Sequence, residues 1–273
     1  MAEGLIFLRI VVSFGYLASC ICYIRFFYTK DPLWGRWGAR SLGGSLSVHT
    51  VLLFFLAFNL GRLPLASPWE ALSACMWLFG LVYLFLETRL KERSLGAFIL
   101  PIILILQTLS GVFIDVNKPL SHVLTGIFFE LHVLLMLLAY SGFAISFIVS
   151  IMYILLSHEI QARHLGLFYA RMPSLEFLDR LSAQAILLGF LVITVGGITG
   201  VIMASKAWGF FWKWDPKLSS VFVAWLIYTL FLLTRWVAGW RGQRSAYISV
   251  VGFLWVLFNF LILSHFFTNL HTF

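Results

Sequence analysis

The chain is a succession of long apolar runs, and this constrains its fold more than any other feature. Eight segments, about 5–28, 43–60, 69–87, 95–113, 126–157, 182–204, 219–238 and 246–267, alternate with connectors marked by Pro, Gly and charge, among them Asp31-Pro32, Gly61 to Pro68, Glu87 to Arg93 and His158 to Arg180. A helix needs about 20 mainly apolar residues to cross a bilayer, and only helices and closed barrels satisfy their own backbone there. The runs therefore predict an all-α, polytopic membrane protein with eight transmembrane helices. Composition agrees, since 61% of residues are hydrophobic and 11% charged, against about 25% charged in soluble domains. So little polar surface cannot cover a water-soluble globule. No internal repeat or low-complexity tract is apparent, and no stretch suits a second soluble domain, so 1–273 reads as a single membrane domain. The opening Met-Ala-Glu-Gly lacks a basic n-region, and the run that follows has no clear cleavage site, which predicts a retained helix.

The net charge of +8 is explained by where the basic residues fall. One set of alternate connectors, with the adjoining span ends, holds Arg25, Lys30, Arg36, Arg40, Arg89, Lys91, Arg93, Arg163, Arg171, Arg180, Arg235, Arg241 and Arg244. The other side holds only Arg62, Lys118, Lys206, Lys213 and Lys217. Basic connectors face the cytoplasm, so both termini and connector 205–218 are expected outside, in a multi-pass protein of the plasma or inner membrane. No nucleic-acid partner is needed. Arg9, inside the first span, is expected to snorkel to the interface as an anchor. Gly196 and Gly200 form a GxxxG, and Gly43 with Gly44 opens the second span; both read as sites of close helix packing. The cysteines Cys20, Cys22 and Cys75 form neither CxxC nor CxxCH, which argues against a thiol–disulfide exchanger and against haem attached covalently to this chain.

The richest segment is Trp208-Gly209-Phe210-Phe211-Trp212-Lys213-Trp214-Asp215-Pro216-Lys217. Interfacial belts use Trp as an anchor, and Asp215-Pro216 has the chemistry of an N-cap followed by the first helical position. Anchoring does not require so many flat rings in one loop. Such rings make a shelf for a large planar ligand, with Lys206, Lys213 and Lys217 available to anionic groups at its edge.

Seven histidines accompany this loop. His158 and His164 lie in a basic connector, and His122 has no obvious partner. His49 falls within the second span, where its ring must find a hydrogen bond or a ligand. His132 follows Glu130 at the outer start of the fifth span, and His265 and His271 close the chain. His132 and His271 flank the aromatic connector in sequence and share its expected side. Two neutral imidazoles opposite one another are suitable axial ligands for haem iron.

The run WGFFWKWDPK resembles the tryptophan-rich signature of the cytochrome c assembly family. FELHVLLMLLAYSGFAISF is similar to the family helix that carries a histidine, here His132, and NLHTF to its terminal histidine, here His271. RWVAGWRGQRSAYISVVGF, GRLPLASPWEALSACMWLFG and LGAFILPI extend the likeness over about 35–273. The resemblance implies non-covalent, b-type haem held by His132 and His271 against Trp208, Trp212, Trp214 and Asp215, with His49 as a further candidate. It also implies a ResB- or CcsB-like membrane partner and apocytochrome c, in a protein that handles haem without being an enzyme. The CcsA or ResC branch usually reads Trp-Asp-Pro-Lys-Glu-x-Trp and carries a His before Thr-Arg in span 7. Here Leu218, Ser220 and Leu233 occupy those positions. These departures, with the short length, look more like the HemX branch, which is associated with control of glutamyl-tRNA reductase and so of haem synthesis. A transporter or channel is disfavoured, because no Asp or Glu lies near a mid-span position and no pair of broken spans occurs. Nor is there a nucleophile with a base, a metalloprotease helix motif or a phosphate loop.

Overall fold

A computed structural model of the chain describes residues 2–114, 126–163, 166–208 and 216–260. The described residues are helical, without strands: α1 (Ala2–Thr29), α2 (Pro32–Leu60), α3 (Pro68–Leu90), α4 (Gly96–Phe113), α5 (Ile127–Gln161), the short α6 (Leu167–Arg171), α7 (Leu175–Trp208), α8 (Pro216–Trp236) and α9 (Gln243–Phe258). Among the described residues 7 helices, α1 to α5, α7 and α8, are long and apolar enough to cross a membrane. This is a polytopic, all-helical membrane protein. The eighth expected span is represented by α9, and the rest of that span, beyond residue 260, lies outside the described residues.

The helices overrun the apolar segments that announce them. α2 begins at Pro32, well before the expected 43, because Asp31 caps it: its carboxylate accepts the Leu33 N–H at 2.9 Å and Pro32 occupies the first turn. α3 begins with a capping box, in which the Ser67 hydroxyl accepts the Glu70 N–H and the Glu70 carboxylate accepts the Ser67 N–H. α7 starts at Leu175, not near 182.

The chain divides into two compact units, residues 1–133 and 134–273. In the first, α1 packs on α2 and α4, and α3 packs on α2 and α4. Tyr16, Tyr23, Leu42, Leu52, Phe79, Tyr83 and Ile99 fill the interior. A Cβ on Gly15 would stand 2.5 Å from Ser45 Oγ, so the α1–α2 crossing requires a glycine there. Arg9 does more than snorkel: its guanidinium donates to the carbonyls of Gly111 (3.0 Å) and Ile114 (3.2 Å), satisfying acceptors at the end of α4. At one end of the unit Arg62 makes a bidentate pair with the buried Glu70 (2.7 and 3.0 Å). At the other, Glu87 accepts from Tyr23 and, at 3.0 Å, from Arg93.

In the second unit, α7, α8 and α9 pack together around Phe143 of α5. Phe143 stacks on Tyr228 with centroids 3.7 Å apart. A buried serine cluster joins three helices: Ser146 reaches Ser182 and Ser249 at 2.8 Å, and Ser150 reaches Ser182 at 3.1 Å. Small hydroxyls of this kind let membrane helices approach closely and pair across the gap.

Candidate functional site

His49 is fully buried in the first unit, and both of its ring nitrogens are engaged. Nδ1 lies 2.9 Å from the Tyr16 hydroxyl and Nε2 lies 3.0 Å from Ser73 Oγ, which in turn donates to Gln107 Oε1 at 3.1 Å. The direction of the chain follows from its last member. A carboxamide oxygen only accepts, so Ser73 spends its proton there and its oxygen accepts from Nε2–H. Nδ1 then carries the lone pair that Tyr16 O–H fills. One neutral imidazole thus joins α1, α2, α3 and α4. Hydropathy had singled out His49 alone. Tyr16, Ser73 and Gln107 share their runs with other polar residues, among them Ser13, Ser19, Glu70, Thr108 and Ser110, so no signal in the sequence set them apart.

His132 lies near the start of α5 and is partly buried. Two residues earlier, Glu130 accepts the Leu63 N–H at 3.0 Å, tying α5 to the connector between α2 and α3. This fixes His132 at the end of the first unit where α2 ends and α3 begins. Trp208 is the last residue of α7 and Pro216 the first of α8. Trp212, Trp214, Asp215 and His271 themselves lie outside the described residues, as do His122, His164 and His265. Leu233, where relatives were expected to carry His, is half exposed on α8, whereas Tyr228, Phe231 and Leu232 on that helix are buried.

In the second unit, sequence reading missed one charged assembly. Asp179 of α7 takes a bidentate pair from Arg235 at the end of α8 (3.1 and 2.6 Å) and the Gly242 N–H at 2.8 Å, which pins the α8–α9 connector.

Residues 66–271 match the sequence profile of the cytochrome c assembly proteins. The chain belongs to the cytochrome c assembly protein family. The matched stretch runs from α3 to the terminal histidine and takes in His132, the tryptophan connector and His271. The chain is similar to the cytochrome c biogenesis protein CcsA of Guillardia theta, at 32% identity over 238 residues, covering 78% of each chain. It is similar also to CcsA of Mesostigma viride, at 27% identity over 257 residues, covering 85% of this chain and 84% of that protein. Among solved structures it resembles the cytochrome c heme lyase CcmF, with a TM-score of 0.61 at 16% identity. That likeness concerns the fold alone; it covers 93% of this chain and 47% of CcmF. These matches are to cytochrome c assembly proteins and give no support to a HemX-type regulator, the branch that Leu218, Ser220 and Leu233 suggested.

Proposed function

We propose that this family member is a haem-handling protein of c-type cytochrome assembly, acting as a holder and not as a catalyst. His132 and His271 would hold the haem iron through their ring nitrogens, and Trp208, Trp212 and Trp214 of the outward-facing connector would give the porphyrin flat apolar contact. Asp215, next to Pro216 in the sequence, has the chemistry of an N-cap. The haem is b-type, held without a covalent bond, and iron coordination is the chemistry it brings. The donor set fits: neutral imidazoles are established axial ligands, and aromatic walls exclude water from the porphyrin faces. His49 is assigned to the packing of the first unit, because both of its nitrogens are already hydrogen-bonded. A ResB- or CcsB-like membrane protein and apocytochrome c are the partners, and the membrane is the plasma or inner membrane, with the tryptophan connector outside.

The observation that supports this reading most is the continuous family match over 66–271, which contains both histidines and the connector. The test is genetic. Disrupting the gene in its host should remove covalent haem from c-type cytochromes, seen as loss of haem-stained bands in membranes. Retained bands together with a changed level of glutamyl-tRNA reductase would favour the regulator and overturn the assembly role.

A further inference from the structure

In the second unit, the connector between α8 and α9 and the last turns of α5 enclose an open cavity of about 600 Å³. Its charge is one-sided. The adjoining carboxylate, Asp179, is hydrogen-bonded by Arg235 and by the Gly242 N–H, and Arg241 acts on it only from beyond ion-pair distance. Arg241 and Arg244 also line the cavity, and among the described residues neither has a carboxylate within ion-pair distance. Arg244 lies over the Trp240 ring, 5.6 Å from its centroid, a contact that steadies the guanidinium while leaving its N–H groups unspent. Polar side chains line the cavity too: Ser157 accepts the side-chain amides of Gln161 (3.2 Å) and Gln243 (2.8 Å). Trp236 and Val237, beside it, are 65% and 82% exposed, so apolar surface adjoins the cationic cavity where α8 ends.

We propose that this cavity binds a phosphate group, with Arg241 and Arg244 as the principal donors. A guanidinium fork matches two phosphate oxygens at once. Two sources share that chemistry, the headgroup of an acidic phospholipid and a soluble phosphate compound. The site is independent of the haem reading, since it uses none of the proposed haem residues.

The experiment uses the full chain in neutral detergent. Native mass spectrometry counts retained phosphatidylglycerol and phosphatidylcholine, and thermal unfolding is recorded with and without inorganic phosphate. If the phosphate belongs to a lipid, phosphatidylglycerol is retained over phosphatidylcholine, and Arg241→Gln with Arg244→Gln weakens it about tenfold. If the source is soluble, inorganic phosphate stabilises the unmodified chain and not the Gln pair, with no preference between the lipids. In either case Arg241→Lys with Arg244→Lys keeps the charge but only part of the binding, because an ammonium cannot form the two-pronged contact, and Arg36→Gln with Arg40→Gln, exposed basic residues of α2, leaves it unchanged. Should the Gln pair fail to fold, each single Gln variant is read instead, with a loss of about threefold expected. A folded Gln pair that binds both probes as the unmodified chain does overturns the proposal, and so does an equal loss in the Arg36/Arg40 control.

Discussion

A polar residue inside an apolar run must be answered by another, and His49 shows how. Tyr16→Phe takes away the donor to Nδ1, and Ser73→Ala takes away the acceptor for Nε2–H. Hydrogen bonds between membrane helices contribute about 0.6 kcal/mol on average and up to about 1.7. Each change is therefore expected to lower stability by about 1 kcal/mol in mixed-micelle unfolding. The double variant should lose less than the sum, because both bonds share one ring; strictly additive losses would contradict the chain described here. His49 was legible as a residue in need of a partner. Which partner was not, because the choice depends on which faces of four helices meet, and hydropathy carries no such information. The partners of Arg9 were illegible for the same reason. Snorkelling was expected of a cation near a helix end, but open carbonyls of α4 are within its reach and give it stronger partners.

At the level of helices, the connectors read from Asp31-Pro32 and from Gly61 to Pro68 hold, and their capping chemistry is visible in the sequence. The expected starts near 43 and 182 fall inside helices, because apolarity marks the part of a helix that lipid covers, whereas caps mark where the helix begins. The packing signals divide in a similar way. Gly196 of the GxxxG does sit close to α5, where a Cβ would meet Met136 Sδ at 3.2 Å. A second close approach pairs Gly142 of α5 with Gly189 of α7, where Cβ atoms would meet the Ala185 carbonyl at 3.2 Å and the Phe143 ring at 2.8 Å. Its two glycines come from different helices, so no motif within one helix reveals it. Gly189→Ala is expected to cost about 1–3 kcal/mol, the range for overpacking. Gly43→Ala, with no heavy atom within 4 Å of its new methyl, should be neutral or slightly stabilising. Thermal unfolding of the two variants checks this, and a reversed order would contradict the packing.

For the whole molecule, the membrane class and the family were legible from the apolar runs and from WGFFWKWDPK, both long-range patterns that survive substitution at single sites. The division into two units was not legible, since no linker composition marks the boundary inside α5. Three single-residue departures pointed to the HemX branch, and the matches to CcsA proteins over most of the chain outweigh them. Sidedness rests on the basic connectors and is directly testable. A cysteine placed at Ser205 should react with an impermeant reagent in intact cells, and one at Ser174 should be protected; the opposite pattern would invert the topology and remove the outer haem site. The central claim is tested by the visible spectrum of the purified chain loaded with haem. The unmodified protein should be six-coordinate and low-spin. His132→Ala and His271→Ala should each move it toward a five-coordinate form that added imidazole restores, while Trp212→Ala or Trp214→Ala lowers occupancy without altering coordination. A spectrum that stays the same in both histidine variants would contradict the assignment of the iron ligands.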